Sequence, residues 1–187
     1  MSPGPLRGKT QGKRSARDVR VAVVVSRYHE AVTSKLLDGA VAEFVARGGA
    51  KQDLLAVDAP GAFELPTIAA EAAMSGAFDA VVVLGCIVKG ETTHDQHLAT
   101  AVANEIARIG VETGCPIGFG VLTVNSMEQA QARAGGAQGN KGEEAMAAAL
   151  DTLEALERIA AHADLLADED EEPEPAPQTH QRGKRGR

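Results

Sequence analysis

The sequence is poor in aromatic residues, with no tryptophan, one tyrosine and four phenylalanines among 187 residues. Because 44% of the residues are nevertheless hydrophobic, any core must be built from Val, Leu, Ile and Ala. No apolar run approaches the length that a bilayer-spanning helix requires, and the first 20 residues lack the apolar region of a signal peptide. We therefore expect a cytoplasmic protein with no membrane partner.

The chain also has only two cysteines and carries no net positive charge. Cys86 and Cys115 each lie in or beside an apolar run and form no CxxC pair, which favours two reduced, buried thiols. The formal net charge of −7 gives no reason to expect nucleic acid as a partner.

Several cofactor motifs are missing. There is no P-loop, the first strand is followed by SRYHEAVT instead of GxGxxG, and no HExxH occurs. His94 and His97 have a spacing that could share a metal ion, but no third ligand is evident, so we expect no metal site.

The two ends of the chain have compositions typical of disorder. Residues 1–19 form a basic arm rich in Gly, Ser and Pro, and residues 164–187 contain the acidic run DEDEEPEPAP and the basic run QRGKRGR. Such segments bury too little apolar surface to offset their chain entropy. We expect disorder in both and one folded domain over residues 20–163.

Within that domain, apolar β-branched runs alternate with segments of helical periodicity. The patterns predict strands at 19–25, 53–60, 79–88 and 116–124, and helices at 31–49, 64–76, 93–110, 126–135 and 143–160. The strands are almost continuously apolar, which is typical of strands covered on both faces. The fold class is therefore predicted as α/β, with a parallel sheet flanked by helices.

Polar and aromatic residues follow the strands, at the edge where open α/β sheets bind ligands. They are Tyr28 after the first strand, Phe63 and Glu64 after the second, GETTH at 90–94 after the third, and Arg133 with GNKG at 139–142 beyond the fourth.

The GETTH segment has two interpretations. Gly90 permits a tight turn, Thr93 and Gln96 match a capping box, and the helix start would present N–H groups to an anion. His94, in the first turn, could then exchange protons with a bound reactant. Alternatively, the segment is simply a capped helix with surface histidines.

Each of the other candidate site residues also has two interpretations when it is considered alone. Tyr28, Phe63 and Phe119 could stack on a planar ring or cover the core, and Glu64 could bind sugar-like hydroxyls or interact with a helix dipole. Arg133 is either a solvated surface residue or a phosphate ligand, with Lys141 as a second cation. Together, two cations, a helix start and a histidine suggest a phosphorylated small substrate.

In this order and spacing, the motifs SRYHEAVTSKLLDGA, APGAFELP, LGCIVKGETTH, GVLTVNSMEQAQARAG and GNKGEEA resemble those of the 6,7-dimethyl-8-ribityllumazine synthase family of riboflavin biosynthesis, over about residues 20–150. The resemblance implies a three-layer flavodoxin-like fold with a four-stranded parallel sheet. It also implies the condensation of 5-amino-6-(ribitylamino)uracil with 3,4-dihydroxy-2-butanone 4-phosphate, with release of phosphate and water and with no cofactor.

The resemblance also assigns roles to residues. It implies ring stacking by Tyr28, ribityl binding by Ala62, Phe63 and Glu64, a ring pocket of Ile87 and Val88, phosphate binding by Glu91, Thr92 and Arg133, proton transfer by His94, and completion of the site by Lys141 and by Phe119 from a neighbouring subunit. His29, Lys89 and His97 depart from the usual family residues, which are Asn, Arg and an aromatic residue.

Assembly is implied as well. The family forms homo-pentamers, some of which build 60-subunit shells, and the short linker RAGGAQGNKG resembles shell-forming members. Riboflavin synthase, which uses the lumazine product, is then a candidate partner. Three rival interpretations remain. The first is the related archaeal-type riboflavin synthase, against which the GETTH and GNKG motifs argue, and the second is a non-catalytic flavin-binding or shell protein, against which His94 and Arg133 argue. The third is a generic flavodoxin-like domain, which would leave the phosphate-binding groups unexplained.

Overall fold

The computed structural model describes residues 14–170. Its strands are β1 (Val21–Ser26), β2 (Leu54–Ala59), β3 (Ala80–Val88), β4 (Ile117–Val124), β5 (Ala134–Gly136) and β6 (Gly139–Asn140). Its helices are α1 (Glu30–Ala46), α2 (Leu65–Met74), α3 (His94–Thr113), α4 (Met127–Arg133) and α5 (Lys141–Asp170), with short 3-10 turns at Lys51–Asp53 and Ala62–Glu64.

The main sheet of this part of the chain has four parallel strands in the order β2-β1-β3-β4. Val23 of β1 is paired with Ala56 of β2 on one side and with Val82 of β3 on the other. The strand order therefore runs outward from β1 in both directions, which makes the ends of β1 and β3 the switch point of the sheet. The predicted α/β class with a four-stranded parallel sheet is confirmed. The small antiparallel pair β5-β6 was not predicted, because its glycine-rich sequence indicates a turn.

Alternation along the strands divides the core into two layers. Val21, Val23 and Val25 pack with α1, α4 and α5 on one face, whereas Ala22 and Val24 pack with α2 and α3 on the other. Since both faces of β1 are covered, all six of its residues are buried. This is the reason for its continuous apolar run.

The edge strand β2 is less covered than its apolar sequence predicts. Leu55 is 49% exposed, and only Ala59 of this strand is buried. The sequence LLAVDA resembles a central strand, but β2 has a neighbour on one side only within the described chain. Its apolar surface is therefore open in the single chain.

The folded region begins before residue 20. Ala16 and Val19 are buried, and the backbone N–H of Ala16 donates to the carbonyl of Arg47 at 2.9 Å. Assigning all of 1–19 to a disordered arm was wrong for residues 14–19, because the basic composition of the segment obscures its two buried apolar side chains. The rest of that arm lies outside the described residues.

Helix α1 ends at Ala46, and the two glycines at the end of the predicted helix 31–49 close it. The N–H groups of Gly48 and Gly49 donate to the carbonyls of Val45 and Phe44 at 2.9 and 3.0 Å, and Gly48 has φ 93°. This pattern is a Schellman motif, which requires a residue that tolerates the left-handed conformation.

Helix α5 continues to Asp170, beyond both its predicted end at 160 and the domain end at 163. Ala, Leu, Asp and Glu follow one another there without a glycine or proline, so nothing interrupts the helix. Residues 156–170 belong to a separate unit, in which Leu156, Ile159, Leu165 and Leu166 are exposed. The predicted tail from 171 lies outside the described residues. Of the helices within residues 14–170, none combines the length and hydropathy needed to cross a bilayer.

Candidate active site

A cavity of about 390 Å³ opens at the carboxyl ends of β1, β2 and β3. This volume falls in the range of small-molecule sites, and the position is the one at which open α/β sheets bind ligands. It is lined by Tyr28, His29, Gly61, Ala62, Phe63, Glu64, Cys86, Ile87, Val88, Gly90, Thr92, His94, Asp95 and Leu98. Eight of the predicted site residues belong to this lining: Tyr28, Ala62, Phe63, Glu64, Ile87, Val88, Thr92 and His94.

The turn after β1 presents two rings. The N–H of Tyr28 donates to Oγ of Ser26 at 3.3 Å, and the rings of Tyr28 and His29 meet edge-on with centroids 4.7 Å apart. His29 has φ 61° and ψ 46°, a left-handed conformation that Asn adopts more readily than most residues. Tyr28 is 66% exposed, so its interpretation as core cover was wrong. Its ring is available to a ligand.

The 3-10 turn after β2 supplies the opposite wall. Ala62 is buried, whereas the ring of Phe63 is 69% exposed at the cavity. Oε2 of Glu64 lies 3.0 Å from the position that a Cβ would occupy at Gly61. A Cβ at Gly61 would make this flexible carboxylate shift by a few tenths of an ångström, so the glycine leaves room for its close approach to the turn.

The segment from β3 to α3 carries the predicted anion site. Thr93 occupies the N-cap of α3, but its side chain makes no capping hydrogen bond, so the predicted capping box with Gln96 is wrong. Thr92 takes its place weakly: its Oγ1 accepts from the N–H of His94 at 3.4 Å. The exposed His94 begins the helix, where the helix dipole favours an anion, although the N–H groups of Gln96 and His97 already donate to the carbonyl of Thr93. Glu91 is exposed and does not belong to the lining.

Gly90 is open to the same space. A Cβ at this position would meet nothing within 4 Å, and its φ is not positive. The described chain therefore does not itself require glycine here, which is consistent with a site that a ligand approaches.

Six lining residues are not among the predicted site residues: His29, Gly61, Cys86, Gly90, Asp95 and Leu98. Cys86 is 2% exposed, and burial raises the pKa of its thiol to about 11. Among residues 14–170 both cysteines are free, and Cys115 is half-buried. Leu98 lies one turn after His94, a spacing that could have revealed their shared face.

Asp95 is the unexpected polar group of the wall. It is 8% exposed, and its Oδ1 is fully buried with no hydrogen-bond donor among the described residues. Leaving a buried acceptor unsatisfied costs about 1–3 kcal/mol, and more when it is charged. The helix dipole at an exposed first turn returns about 0.3–1 kcal/mol. The dipole alone therefore does not account for an aspartate at this position.

The remaining predicted residues do not reach the cavity in this chain. Phe119 pairs with Val83, whereas Val124 pairs with Val88, which places Phe119 about 16 Å back along the sheet from the strand ends. Arg133 ends α4 and donates from Nη1 to the carbonyl of Gln129 at 3.3 Å. Lys141 begins α5 and pairs with Glu144 at 2.5 Å. None of these three belongs to the lining.

The lining combines exposed aromatic rings, a carboxylate acceptor, a helix N-terminus and an imidazole. Such a set can bind a planar polar ring beside an anion, and an imidazole can accept and donate protons. Within the part of the chain that the structure describes, no three His, Cys, Asp or Glu residues are grouped closely enough to hold a metal ion.

Comparison with known proteins agrees with the motifs. The family model of 6,7-dimethyl-8-ribityllumazine synthase matches residues 18–157. Proteins of that name from Prosthecochloris aestuarii and Chlorobaculum parvum are each 40% identical to this chain over 149 residues, covering 80% of it and 96% of their own length. One from Chlorobium limicola is 42% identical over 143 residues, covering 76% of this chain and 92% of its own. The chain therefore belongs to the 6,7-dimethyl-8-ribityllumazine synthase family.

Proposed function

We propose that this chain catalyses the reaction of its family, the condensation of 5-amino-6-(ribitylamino)uracil with 3,4-dihydroxy-2-butanone 4-phosphate to 6,7-dimethyl-8-ribityllumazine, in riboflavin biosynthesis. The observation that carries the proposal is the single cavity wall formed by Tyr28, Phe63, Glu64 and His94. The substrates are one planar polar ring with a polyhydroxyl chain and one small phosphate ester. The two aromatic rings, the acceptor and the helix start match those features.

The pyrimidine binds between the strand ends. Tyr28 stacks on its ring, and Ile87 and Val88 form the apolar floor. The ribityl hydroxyls donate to the Glu64 carboxylate and to the backbone at Ala62 and Phe63. Support for this placement comes from the position of Glu64, whose Oε2 lies close over Gly61.

The phosphate binds at the start of α3, at the turn formed by Glu91 and Thr92. The positive end of the helix dipole favours an anion at this turn, and the open space at Gly90 lets phosphate oxygens approach the backbone. His94 stands beside that position as the first residue of the helix.

The chemistry requires proton transfers rather than a strong nucleophile. The substrate amine attacks the ketone to give a carbinolamine, which loses water to form an imine. Loss of a proton from carbon then expels phosphate, and ring closure releases a second water. The imidazole of His94 accepts and returns protons in these steps, while the cavity holds the two reactive substrates together.

Phe119, Arg133 and Lys141 complete the site from a neighbouring chain. Their location outside the cavity of their own chain supports this assignment. The assembly is a homo-pentamer, and its short linker before α5 favours the 60-subunit shell. Light scattering that gives the mass of one pentamer would exclude the shell and leave the shared site intact.

The protein acts in the cytoplasm and delivers its product to riboflavin synthase. Cell fractionation tests the location, and co-purification with riboflavin synthase tests the partnership. Recovery of the chain outside the cytoplasm would contradict the first proposal, and separation of the two enzymes under mild conditions would contradict the second.

The decisive experiment follows lumazine formation by absorbance with both substrates. We expect His94→Ala to lower the rate, whereas His97→Ala retains it, because His97 is exposed on the same helix one turn later and does not line the cavity. A native rate equal to the uncatalysed background would refute the function. Equal rates in the two variants would refute the role of His94.

A further inference from the structure

We propose that His29 is a positioning residue, whose ring holds the ring of Tyr28 in the orientation that stacks on the pyrimidine substrate. The inference rests on the site proposed above and adds to it a role that neither the motifs nor the family resemblance assigns. Its basis is an observed contact, in which the two rings meet edge-on at an interplanar angle of 71° with centroids 4.7 Å apart.

The ring of Tyr28 needs support from a neighbour. The hydrogen bond from its N–H to Oγ of Ser26 fixes only the backbone, and the side chain is 66% exposed. Among the described residues, only His29 places an aromatic ring against it. A free side chain must give up rotamer entropy when a ligand stacks on it. A ring that is already held gives up less, so the contact with His29 favours binding.

The His29 ring stands on a rigid base. The carbonyl of His29 accepts from the N–H groups of Val32 and Thr33 at 2.8 and 3.1 Å, which starts helix α1. Val32 and Thr33 are themselves buried, and His29 is half-buried. The backbone that carries the imidazole is therefore fixed by the helix, and the imidazole can restrict the more exposed ring beside it.

Local structure gives no other reason for a histidine at this position. His29 is the N-cap of α1, but its side chain makes no capping hydrogen bond, and N-caps favour Ser, Thr, Asp and Asn. Its left-handed φ of 61° also suits Asn. Asn would therefore meet both local requirements, whereas it has no ring to place against Tyr28. The ring contact is the observed feature that distinguishes histidine from asparagine here.

Two substitutions separate the ring of His29 from its polar atoms. His29→Asn suits the backbone and keeps a polar group but removes the ring, whereas His29→Phe keeps a ring and removes the nitrogens. We expect the KM for the pyrimidine to rise about two- to tenfold in His29→Asn, the range that corresponds to an aromatic pair, and to stay within about twofold of native in His29→Phe.

The other kinetic constants should not follow. The kcat and the KM for the butanone phosphate should stay within about twofold of native in His29→Asn, because the lost contact supports ground-state binding of the pyrimidine alone. His97→Asn is the matched control, since His97 is exposed and does not line the cavity. It should leave all of these constants unchanged.

A spectroscopic signal reports on the ring directly. Tyr28 is the only tyrosine and the chain has no tryptophan, so the tyrosine band of the near-ultraviolet circular dichroism spectrum comes from Tyr28. Without substrate, we expect this band to be weaker in His29→Asn and retained in His29→Phe and His97→Asn. The unfolding temperature of His29→Asn should be native or higher, because asparagine suits the N-cap and the left-handed conformation.

Three results would overturn the inference. An unchanged tyrosine band in His29→Asn would show that His29 does not order the Tyr28 ring. An equal rise of the pyrimidine KM in His29→Asn and His29→Phe would indicate a direct polar contact with the substrate. An unchanged pyrimidine KM in His29→Asn, while His94→Ala still lowers the rate, would remove the role of His29 and leave the proposed site standing. Failure of the proposed function looks different, because the native protein would then have no rate above background whatever the tyrosine band shows.

Discussion

A site divided between two chains predicts that two inactive variants restore each other. His94 lines the cavity of its own chain, whereas Arg133 does not. In a ring, each site would then combine His94 of one chain with Arg133 of the next. We therefore consider His94→Ala and Arg133→Ala, unfolded together in equal amounts and refolded as a mixture.

The expected yield follows from counting chains. A site is native only when its His94 comes from an Arg133→Ala chain and its Arg133 comes from a His94→Ala chain. With random mixing this happens in about one quarter of sites, whatever the number of chains in the ring. Each variant refolded alone should lose about 1.5–3 kcal/mol of transition-state stabilisation, the usual worth of a hydrogen bond to a charged group, and so have a low rate.

A second mixture makes the test two-sided. The double variant His94→Ala/Arg133→Ala, refolded with the native chain, should also give about one quarter of the native rate if sites are shared between chains. If each site lies within one chain, the double-variant mixture gives about one half and the mixture of single variants gives only their average. All rates are measured as initial rates of lumazine formation. One half of the native rate for the double-variant mixture, with only the average rate for the mixture of single variants, would refute a site shared between chains.

Three further predictions concern single positions. Gly90→Ala should leave the free energy of unfolding in urea unchanged within about 0.5 kcal/mol, because the new Cβ meets nothing within 4 Å. It should nevertheless raise the KM for the butanone phosphate, and an unchanged KM would show that the phosphate does not bind at this turn. Gly142→Ala should destabilise the fold by about 3 kcal/mol in the same urea titration, because its Cβ would lie 1.9 Å from the carbonyl oxygen of Leu36; native stability would show that α1 and α5 can separate freely. Cys86, with a pKa raised to about 11, should react with iodoacetamide in the folded protein at pH 8 at least about 100-fold more slowly than in urea. The rate in the folded protein should increase as the pH rises towards 11. Equal rates in the folded and unfolded protein, measured by peptide mass, would contradict the burial of Cys86.

The sheet could be predicted because its central strands are determined by local composition. Each residue of β1 meets a helix layer on one face or the other, so the apolar run VAVVVS directly reflects burial. The same reasoning fails for β2, whose sequence is equally apolar but whose surface is open in the single chain. Composition records that a surface becomes buried somewhere, but not whether its own chain or another chain covers it.

The ends of the folded region were harder to predict than its centre. The tail-like composition around Ala16 and after residue 163 suggested disorder, yet one segment packs on Arg47 and the other continues a helix. In both cases a few residues decide the outcome. Two small apolar side chains are enough to dock a short arm, and the absence of any glycine or proline is enough to extend α5.

Some residues of the candidate site could likewise be predicted from local rules, and others could not. The rule that ligands bind beyond strand ends brought Tyr28, Glu64 and His94 together correctly, since parallel strands end at one edge of a sheet. It could not identify Asp95, because an aspartate in the first turn of a helix already has an ordinary explanation in the helix dipole. Only its burial and its unsatisfied oxygen make that explanation insufficient.

Phe119 and Arg133 both lie outside the cavity of their own chain. The sequence motifs select these residues, but the register of β4 keeps Phe119 about 16 Å from the strand ends of its own chain. No side-chain rotation spans that distance, so a phenylalanine that completes the site must come from another molecule. A single chain would then retain the cavity wall to which we assign the pyrimidine and lack the arginine to which we assign the phosphate. Pyrimidine affinity and catalytic rate should therefore respond differently to any change that weakens assembly.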